Sequence, residues 1–188
     1  MSFRSPVNRS RIERFLNKLG SQYRRPGRLY LVGGTSLVYE GYRQQTLDID
    51  VVIEVSAENQ TALIQIIRKL KDDLDVNVEE ASPGDFIPLP AGYSGRHEFI
   101  GRFGELDVFH FDFYSTALGK IERGRTQDFA DVVSLLRNGR INWGRLEEYF
   151  KEILPAVGTR SLRQDPEEFE LNFRALERML NTPKETTP

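Results

Sequence analysis

The sequence predicts a mixed α/β or α+β domain with a helical C-terminal part. Short apolar runs of strand length alternate with segments of helical spacing through residues 10–80, further strand patterns follow as far as residue 110, and only helical patterns come after it. A length of 188 residues is enough for one domain with a buried core and a small appended helical part.

The N-terminal half is predicted to contain three helices and three strands. Asn8 or Ser10 can cap a first helix, whose apolar stripe ends at Gly20. The run RLYLV is a short strand, Thr35 begins a short helix after two glycines, and the strand TLDIDVVIEV comes next. Ser56 starts an amphipathic helix, and the segment LDVNVEE alternates as a strand does.

The second half is predicted to contain a loop, a hairpin and then helices. The segment ASPGDFIPLPAGYSG, with three prolines and three glycines, is a long loop. Strands over 96–102 and 105–110 form a hairpin around Gly104. Four residues are expected to begin the helices that follow: Asp112, Thr126, Asn142 and Asp165. The predicted divisions are a basic N-terminal helix, a core, C-terminal helices and a tail: 1–27, 28–137, 138–182 and 183–188.

Composition restricts the class of protein. Hydrophobic residues make up 39% of the chain and charged residues 29%, which is ordinary for a soluble globular domain. No apolar run approaches the roughly 20 residues that span a bilayer, and the N-terminal sequence has no apolar signal segment, so we expect a cytoplasmic protein without a membrane partner. With no cysteine, a disulfide framework and a thiolate zinc site are excluded.

Charge is distributed unevenly. Residues 1–28 carry eight basic residues against Glu13 alone, a net +7, while the remainder carries −9. A basic segment on an acidic body suggests a polyanionic partner such as RNA. The alternative is an ordinary solvated helix face. The basic residues are Arg4, Arg9, Arg11, Arg14, Lys18, Arg24, Arg25 and Arg28.

Two aspartates interrupt the apolar strand LDIDVVI. Strand residues alternate between faces, so Asp48 and Asp50 share one face with Cα atoms about 7 Å apart. Carboxylates this close repel each other unless a cation lies between them, and carboxylate oxygens favour Mg²⁺ or Mn²⁺. The alternatives for an isolated DxD are surface decoration or a calcium ligand.

The preceding turn supplies groups of the complementary kind. Gly33 and Gly34 allow the backbone to approach a ligand closely, and the hydroxyl of Thr35 adds a donor at the start of a helix. An isolated Gly-Gly pair is usually only a tight turn. Beside two metal-binding carboxylates, however, it predicts a site for a metal ion and a nucleotide.

These residues also carry a resemblance. The stretch GGTSLVYEGYRQQTLDIDVV resembles the signature of the DNA polymerase beta type nucleotidyltransferase superfamily, and within it the minimal bacterial and archaeal members, including those of toxin-antitoxin and abortive-infection pairs. The later stretch FDFYSTALGKIERGRTQDFADV is similar to the helical region of the same group, where a lysine, an arginine and two aspartates recur in this order. The resemblance covers roughly residues 28–137.

The resemblance implies site residues. Gly33, Gly34 and Thr35 would hold the nucleoside triphosphate, and Asp48 and Asp50 would bind Mg²⁺.

A third carboxylate on a later strand is used in the superfamily to bind metal and to help activate the attacking hydroxyl. The best match is Asp107 in GELDVFHFD. Lys120 and Arg123 share a helix face and could contact phosphates, or could instead pair with Asp128 or Asp131. Arg43 is a further phosphate or substrate candidate, with a solvated loop arginine as the alternative.

Two functions of different class follow. The first is an enzyme that moves a nucleoside monophosphate from an NTP to an acceptor, either a tRNA 3′ end or a hydroxyl of a partner protein, with release of pyrophosphate. The second is a catalytically inactive relative that binds a partner, for example an antitoxin that acts by contact. A third interpretation is a soluble α+β domain whose motif is accidental. His110 is expected to be a strand residue with an ordinary hydrogen-bond partner.

Overall fold

The computed structural model describes residues 5–159 and 165–181, which form two compact units. The described residues up to Ser82, together with Ser94–Asp112, make the first unit. Pro83–Tyr93 and the described residues from Phe113 onward make the second. The expected tail at 183–188 lies outside the described residues.

The first unit contains a five-stranded mixed sheet. Its strands are β1 (Gly27–Leu31), β2 (Asp48–Glu54), β3 (Asn77–Glu80), β4 (Glu98–Phe103) and β5 (Leu106–His110), in the order β3-β2-β1-β5-β4. β1 is antiparallel to β2 and parallel to β5, β3 is parallel to β2, and β4 is antiparallel to β5. The mixed α/β class predicted from the sequence is therefore confirmed.

Three helices complete this unit: α1 (Arg9–Tyr23), α2 (Gly33–Tyr39) and α3 (Ala57–Asp73). Asn8 caps α1, because its side chain accepts a hydrogen bond from the Arg11 N–H. The apolar side of α1 is buried with one face of the sheet and with α3 in a single core. Typical members are Phe15, Leu29, Val51 and Leu70, each at most 1% exposed.

Among the described residues of the basic segment, Arg9, Arg11, Arg14 and Lys18 lie on the packed helix α1. Arg9 pairs with Glu13, and the Arg11 guanidinium donates to the carbonyls of Leu74 and Asp75. Arg25 donates to the Asn59 side chain. Several of the charges that suggested a polyanionic partner therefore make contacts within the unit.

The second unit is helical. It contains α4 (Phe113–Arg123), α5 (Thr126–Arg137), α6 (Trp143–Ile153) and α7 (Pro166–Asn181). Asn142 caps α6, and the Asp165 carboxylate accepts from the first turn of α7, as their positions predicted. Phe150 and Phe173 stack at 4.0 Å between ring centroids and tie α6 to α7.

The loop predicted between β3 and β4 contains two short 3₁₀ turns, at Pro83–Asp85 and Tyr93–Arg96. Its central part belongs to the second unit, as do α4 and α5, so the units divide at residue 112 and not at the expected core boundary of 137. Among the helices of the described ranges, none is both long and apolar enough to cross a membrane.

Candidate functional site

The Gly-Gly turn connects β1 to α2. The chain leaves the sheet at Val32, whose N–H donates to the Asp50 carbonyl at 3.1 Å, and α2 begins at the next residue. Gly33 has a φ of +55°, a left-handed conformation that other residues adopt only under strain. The N–H groups of Thr35 and Ser36 both donate to the Val32 carbonyl, which closes the turn.

The Thr35 side chain joins this turn to the strand that carries the two aspartates. Its hydroxyl accepts a hydrogen bond from the Asp50 N–H at 2.8 Å and donates to the Asp48 carbonyl at 3.2 Å. Thr35 is completely buried and the two aspartates are half-buried, so these bonds are partly shielded from water. The two halves of the predicted site are therefore fixed to each other by one side chain.

The two aspartates are half-buried on the same face of β2. A Cβ added at Gly33 would lie 3.5 Å from Asp50 Oδ2, so the Asp50 carboxylate faces the glycine turn. Asp48 Oδ1 accepts from the Asn77 side chain at 2.8 Å, and the same amide donates to Glu79 at 2.9 Å. Asn77 was not among the predicted site residues, although its position opposite Asp48 follows from the parallel register of β2 and β3.

Arg43 lies beside the turn. A Cβ added at Gly34 would be 3.2 Å from a terminal nitrogen of the Arg43 guanidinium and 2.8 Å from Thr46 Oγ1. The guanidinium Nε donates to the Gln45 carbonyl at 2.8 Å. The structure thus brings together the two glycines, Thr35, both aspartates of β2 and Arg43. At position 34 only a glycine leaves enough room for Arg43 and Thr46 to lie this close to the backbone.

Asp107 does not join this group, which corrects the expected triad. The register pairs Asp107 with Arg28, and Arg28 with Glu54. Glu54 is four residues along β2 from Asp50, a distance of about 13 Å at the rise of a strand. Asp107 is on the same face as Asp50 but at the opposite end of the sheet.

At that end Asp107 belongs to a row of alternating charge across four strands: Arg102, Asp107, Arg28 and Glu54. The Arg102 guanidinium donates to both carboxylate oxygens of Asp107, at 2.7 and 3.0 Å, and this lowers the pKa of Asp107. Asp107 therefore pairs with Arg102 of the neighbouring strand β4.

Phe111, just after β5, lies on the opposite side of β1 from Asp50. The chain continues past β5 to Phe111, whose N–H donates to the Leu31 carbonyl, one step beyond the last pair of the ladder. The Phe111 ring lies 6.2 Å from the ring of Tyr30, which projects from the Asp50 face. At the position across β1 from Asp50, the chain that continues from β5 therefore provides an aromatic ring and not a carboxylate.

On the same face, Tyr30 donates a 2.5 Å hydrogen bond to Glu54. Burial, with this bond and the Glu54 charge, raises the pKa of Tyr30 to about 12. Tyr30 therefore stays protonated at neutral pH and acts as a donor.

Lys120 and Arg123 lie on α4 in the second unit and pair with α5. The Lys120 ammonium contacts Asp128 at 3.2 Å and Asp131 at 2.5 Å, and the Arg123 guanidinium contacts Asp128 at 2.6 Å. Lys120 is only 3% exposed, whereas about a third of the Arg123 side chain is exposed. These contacts are the pairing that the sequence analysis gave as the alternative to phosphate binding.

His110 is hydrogen-bonded at both ring nitrogens, where an ordinary hydrogen-bond partner was expected. Its Nδ1 is 2.5 Å from Ser36 Oγ and its Nε2 is 2.8 Å from Glu40 Oε1. The spacing of Ser36 and Glu40, four residues apart on one helix, was a signal in the sequence, but nothing in the sequence indicated that β5 would place a histidine beside them.

The glycine turn and the aspartate pair, now joined in one site, are the features on which the resemblance to nucleotidyltransferases rests. The chain matches the model of the family described as nucleotidyltransferase of unknown function (DUF6036) over residues 10–179. The protein belongs to this family. No curated protein and no solved structure matches the chain.

Proposed function

We propose that the protein is a Mg²⁺-dependent enzyme that transfers a nucleoside monophosphate from an NTP to an acceptor hydroxyl. The observation that carries the proposal is the double hydrogen bond of Thr35 to the backbone of Asp48 and Asp50. It fixes a glycine turn suited to phosphates against two carboxylates suited to a metal ion.

The donor set suits Mg²⁺ or Mn²⁺. Mg²⁺ is usually held by one or two carboxylates together with substrate phosphates and water, so Asp48 and Asp50 provide what such an ion needs from the protein. Within residues 5–159 and 165–181 no group of three acidic, histidine or cysteine side chains is placed to hold a metal ion. The remaining ligands would come from the triphosphate and water.

The proposed reaction assigns a role to each group. Gly33 and Gly34 let the triphosphate approach the backbone, and the Arg43 guanidinium offers a positive charge to it. When bound, the metal ion neutralises charge on the phosphates. The acceptor oxygen forms a bond to the α-phosphorus while the bond to the bridging oxygen breaks, pyrophosphate leaves, and the acceptor proton passes to solvent.

Lys120 and Arg123, on α4 of the second unit, are proposed separately as residues that could contact phosphate. Arg123 is the better candidate because part of its guanidinium is exposed beyond its pair with Asp128. Lys120 would have to exchange two buried carboxylate partners for a phosphate, at a considerable desolvation cost.

The acceptor is proposed to be an RNA 3′ end, such as that of tRNA, or a hydroxyl of a partner protein, in the cytoplasm and as one member of a toxin-antitoxin pair. The competing function is a catalytically inactive binding module or antitoxin that acts by contact. One observation favours it, namely that Asp107 is far along the sheet from Asp48 and Asp50.

The test is Mg²⁺-dependent transfer of label from each α-³²P NTP onto total RNA and onto candidate partner proteins. Wild type is compared with Asp48→Asn and with Asp107→Asn, an aspartate of the same face at the other end of the sheet. Transfer that Asp48→Asn abolishes and Asp107→Asn retains supports the proposal. Absence of transfer onto either pool, with Mg²⁺-NTP binding intact, would overturn it in favour of the binding module.

A further inference from the structure

A buried histidine connects β5 to both ends of one turn of α2. Ser36 and Glu40 are four residues apart on the same side of that helix, and each contacts a different nitrogen of the His110 ring. Both contacts have hydrogen-bond length, 2.5 Å to Ser36 and 2.8 Å to Glu40. The ring thus uses both of its polar atoms on one helix.

The chemistry of the three groups fixes the direction of these bonds. An ionised carboxylate only accepts, so His110 Nε2 carries the proton that is donated to Glu40. In the neutral ring Nδ1 then accepts from the Ser36 hydroxyl. Ser36 is completely buried and His110 is 3% exposed, so Ser36 has no access to a substrate as a nucleophile.

The contact lies directly behind the site. Ser36 follows Thr35, and the N–H groups of both residues donate to the Val32 carbonyl that closes the glycine turn. Thr35 in turn bonds the backbone of both aspartates on β2. Hydrogen bonds made by the neighbouring residues Ser36 and Thr35 therefore connect His110, through the backbone between them, to the strand that carries the carboxylates.

The strand arrangement places His110 next to the start of the turn. His110 is in register with Leu31, the last residue of β1 before the chain enters the turn. The turn is therefore connected to two strands. The Thr35 hydroxyl bonds the backbone of β2, and Ser36 contacts the His110 ring of β5.

We infer that His110 is a positioning residue for triphosphate binding, acting through Ser36 in α2 and Glu40 at its C-terminal end to hold α2, and with it the glycine turn at its start, in place. This inference rests on the proposed function, since it assumes that the glycine turn receives the phosphates. Groups that orient the direct ligands of a site typically change affinity by 10- to 100-fold when they are removed. A purely structural role would instead lower stability and leave affinity unchanged.

The experiment measures binding of inorganic triphosphate with Mg²⁺ by calorimetry, because the triphosphate is common to all four NTPs. His110→Phe fills the ring volume without hydrogen bonds, and Val108→Ala is the matched control, a fully buried core residue of the same strand. At a temperature where all variants are folded, we expect His110→Phe to bind about ten-fold more weakly. Val108→Ala should keep the wild-type affinity despite its lower Tm.

Two further variants separate the contacts. Ser36→Ala removes one hydrogen bond and should weaken triphosphate binding, while Glu40→Gln keeps a carbonyl acceptor for Nε2 and should retain most of the affinity. If His110→Phe does not fold, Ser36→Ala compared with Val108→Ala decides the question. In the transfer assay the loss should appear in the KM for NTP more than in kcat.

The outcomes distinguish the two proposals. If wild type itself does not bind Mg²⁺-triphosphate, the proposed function fails. If wild type binds and Asp48→Asn does not, but His110→Phe and Ser36→Ala bind as tightly as wild type, the phosphate site that the proposed function requires is supported and the positioning role of His110 is overturned; transfer itself is decided by the labelled-NTP assay.

Discussion

The hydroxyl of Thr35, a completely buried residue, accepts a hydrogen bond from the backbone N–H of Asp50 at 2.8 Å. A residue of the glycine turn thus satisfies a backbone group of the aspartate strand. Because the same hydroxyl also donates to Asp48, the side chain is needed as donor and acceptor at once.

Replacing Thr35 with valine should therefore destabilise the protein. The substitution keeps the shape of the side chain but leaves the N–H of the half-buried Asp50 without its acceptor, which costs about 1 kcal/mol, the low end of the range for a buried donor. Urea denaturation measures the change in the free energy of unfolding. Thr35→Ser, which retains the hydroxyl, is the control, and equal stability of the two variants would contradict the assignment.

Replacing Gly34 with alanine should disturb the neighbourhood of Arg43. The new Cβ would be 2.8 Å from Thr46 Oγ1, closer than real side chains approach, so the helix start or Thr46 has to move. Overpacking of this kind costs about 1–3 kcal/mol. Thermal unfolding should show a lower Tm for Gly34→Ala and little change for Gly95→Ala, whose Cβ would meet nothing within 4 Å. Similar effects of the two changes would refute the close contact.

Lys120→Met should be among the more destabilising single changes in the second unit. It leaves Asp131 and Asp128 with less compensation for their buried charge, and removal of one partner from a buried pair costs about 3–5 kcal/mol. Lys151→Met on α6 removes an exposed pair with Glu147 and should cost less than about 1 kcal/mol. The two are compared by urea denaturation, and a Lys120 variant as stable as wild type would show that the pairs are dispensable.

His97 should titrate below its ordinary value. Burial is the main cause that lowers the pKa of His97 from 6.5, and it outweighs the opposing charges of Asp112 and Glu54. The unfolded chain therefore binds a proton at His97 in a pH range where the folded protein does not, so this residue lowers stability as the pH falls below 6.5. NMR titration of the His97 ring should give a midpoint under 6.5, and His97→Gln should lose less stability on acidification than wild type. A midpoint at or above 6.5 would contradict the effect of burial.

The part of the site that alternation determines could be predicted from the sequence. Asp48 and Asp50 share a face because strand residues alternate, and the structure places both on one face of β2. The position of Asp107 along the strand direction could not be predicted, since it depends on the register between β5 and β1. In the folded protein this alignment places Asp107 opposite Arg28 on one side and Arg102 on the other.

Other parts depend on contacts between segments far apart in the chain. Lys120 pairs with Asp128 and Asp131 on the next helix along the chain. Because the segments are adjacent, this pairing could be predicted from the sequence as the alternative to phosphate binding. The contact of His110 with Ser36 spans 74 residues, and no local pattern encodes it. Similarly, the division of the units at residue 112 reflects which helices pack together and not a change in composition.

The strand order also has a consequence for synthesis of the chain. β1 lies at the centre of the sheet, yet its parallel neighbour β5 begins only at Leu106. While the polypeptide emerges from the ribosome, one edge of β1 has no hydrogen-bonding partner until residue 110 has been made, and an unpaired apolar edge invites association with other chains. Release of a prematurely terminated polypeptide that stops before Leu106 should therefore give an aggregating product, and a growing chain is exposed to this hazard for some 75 residues of translation.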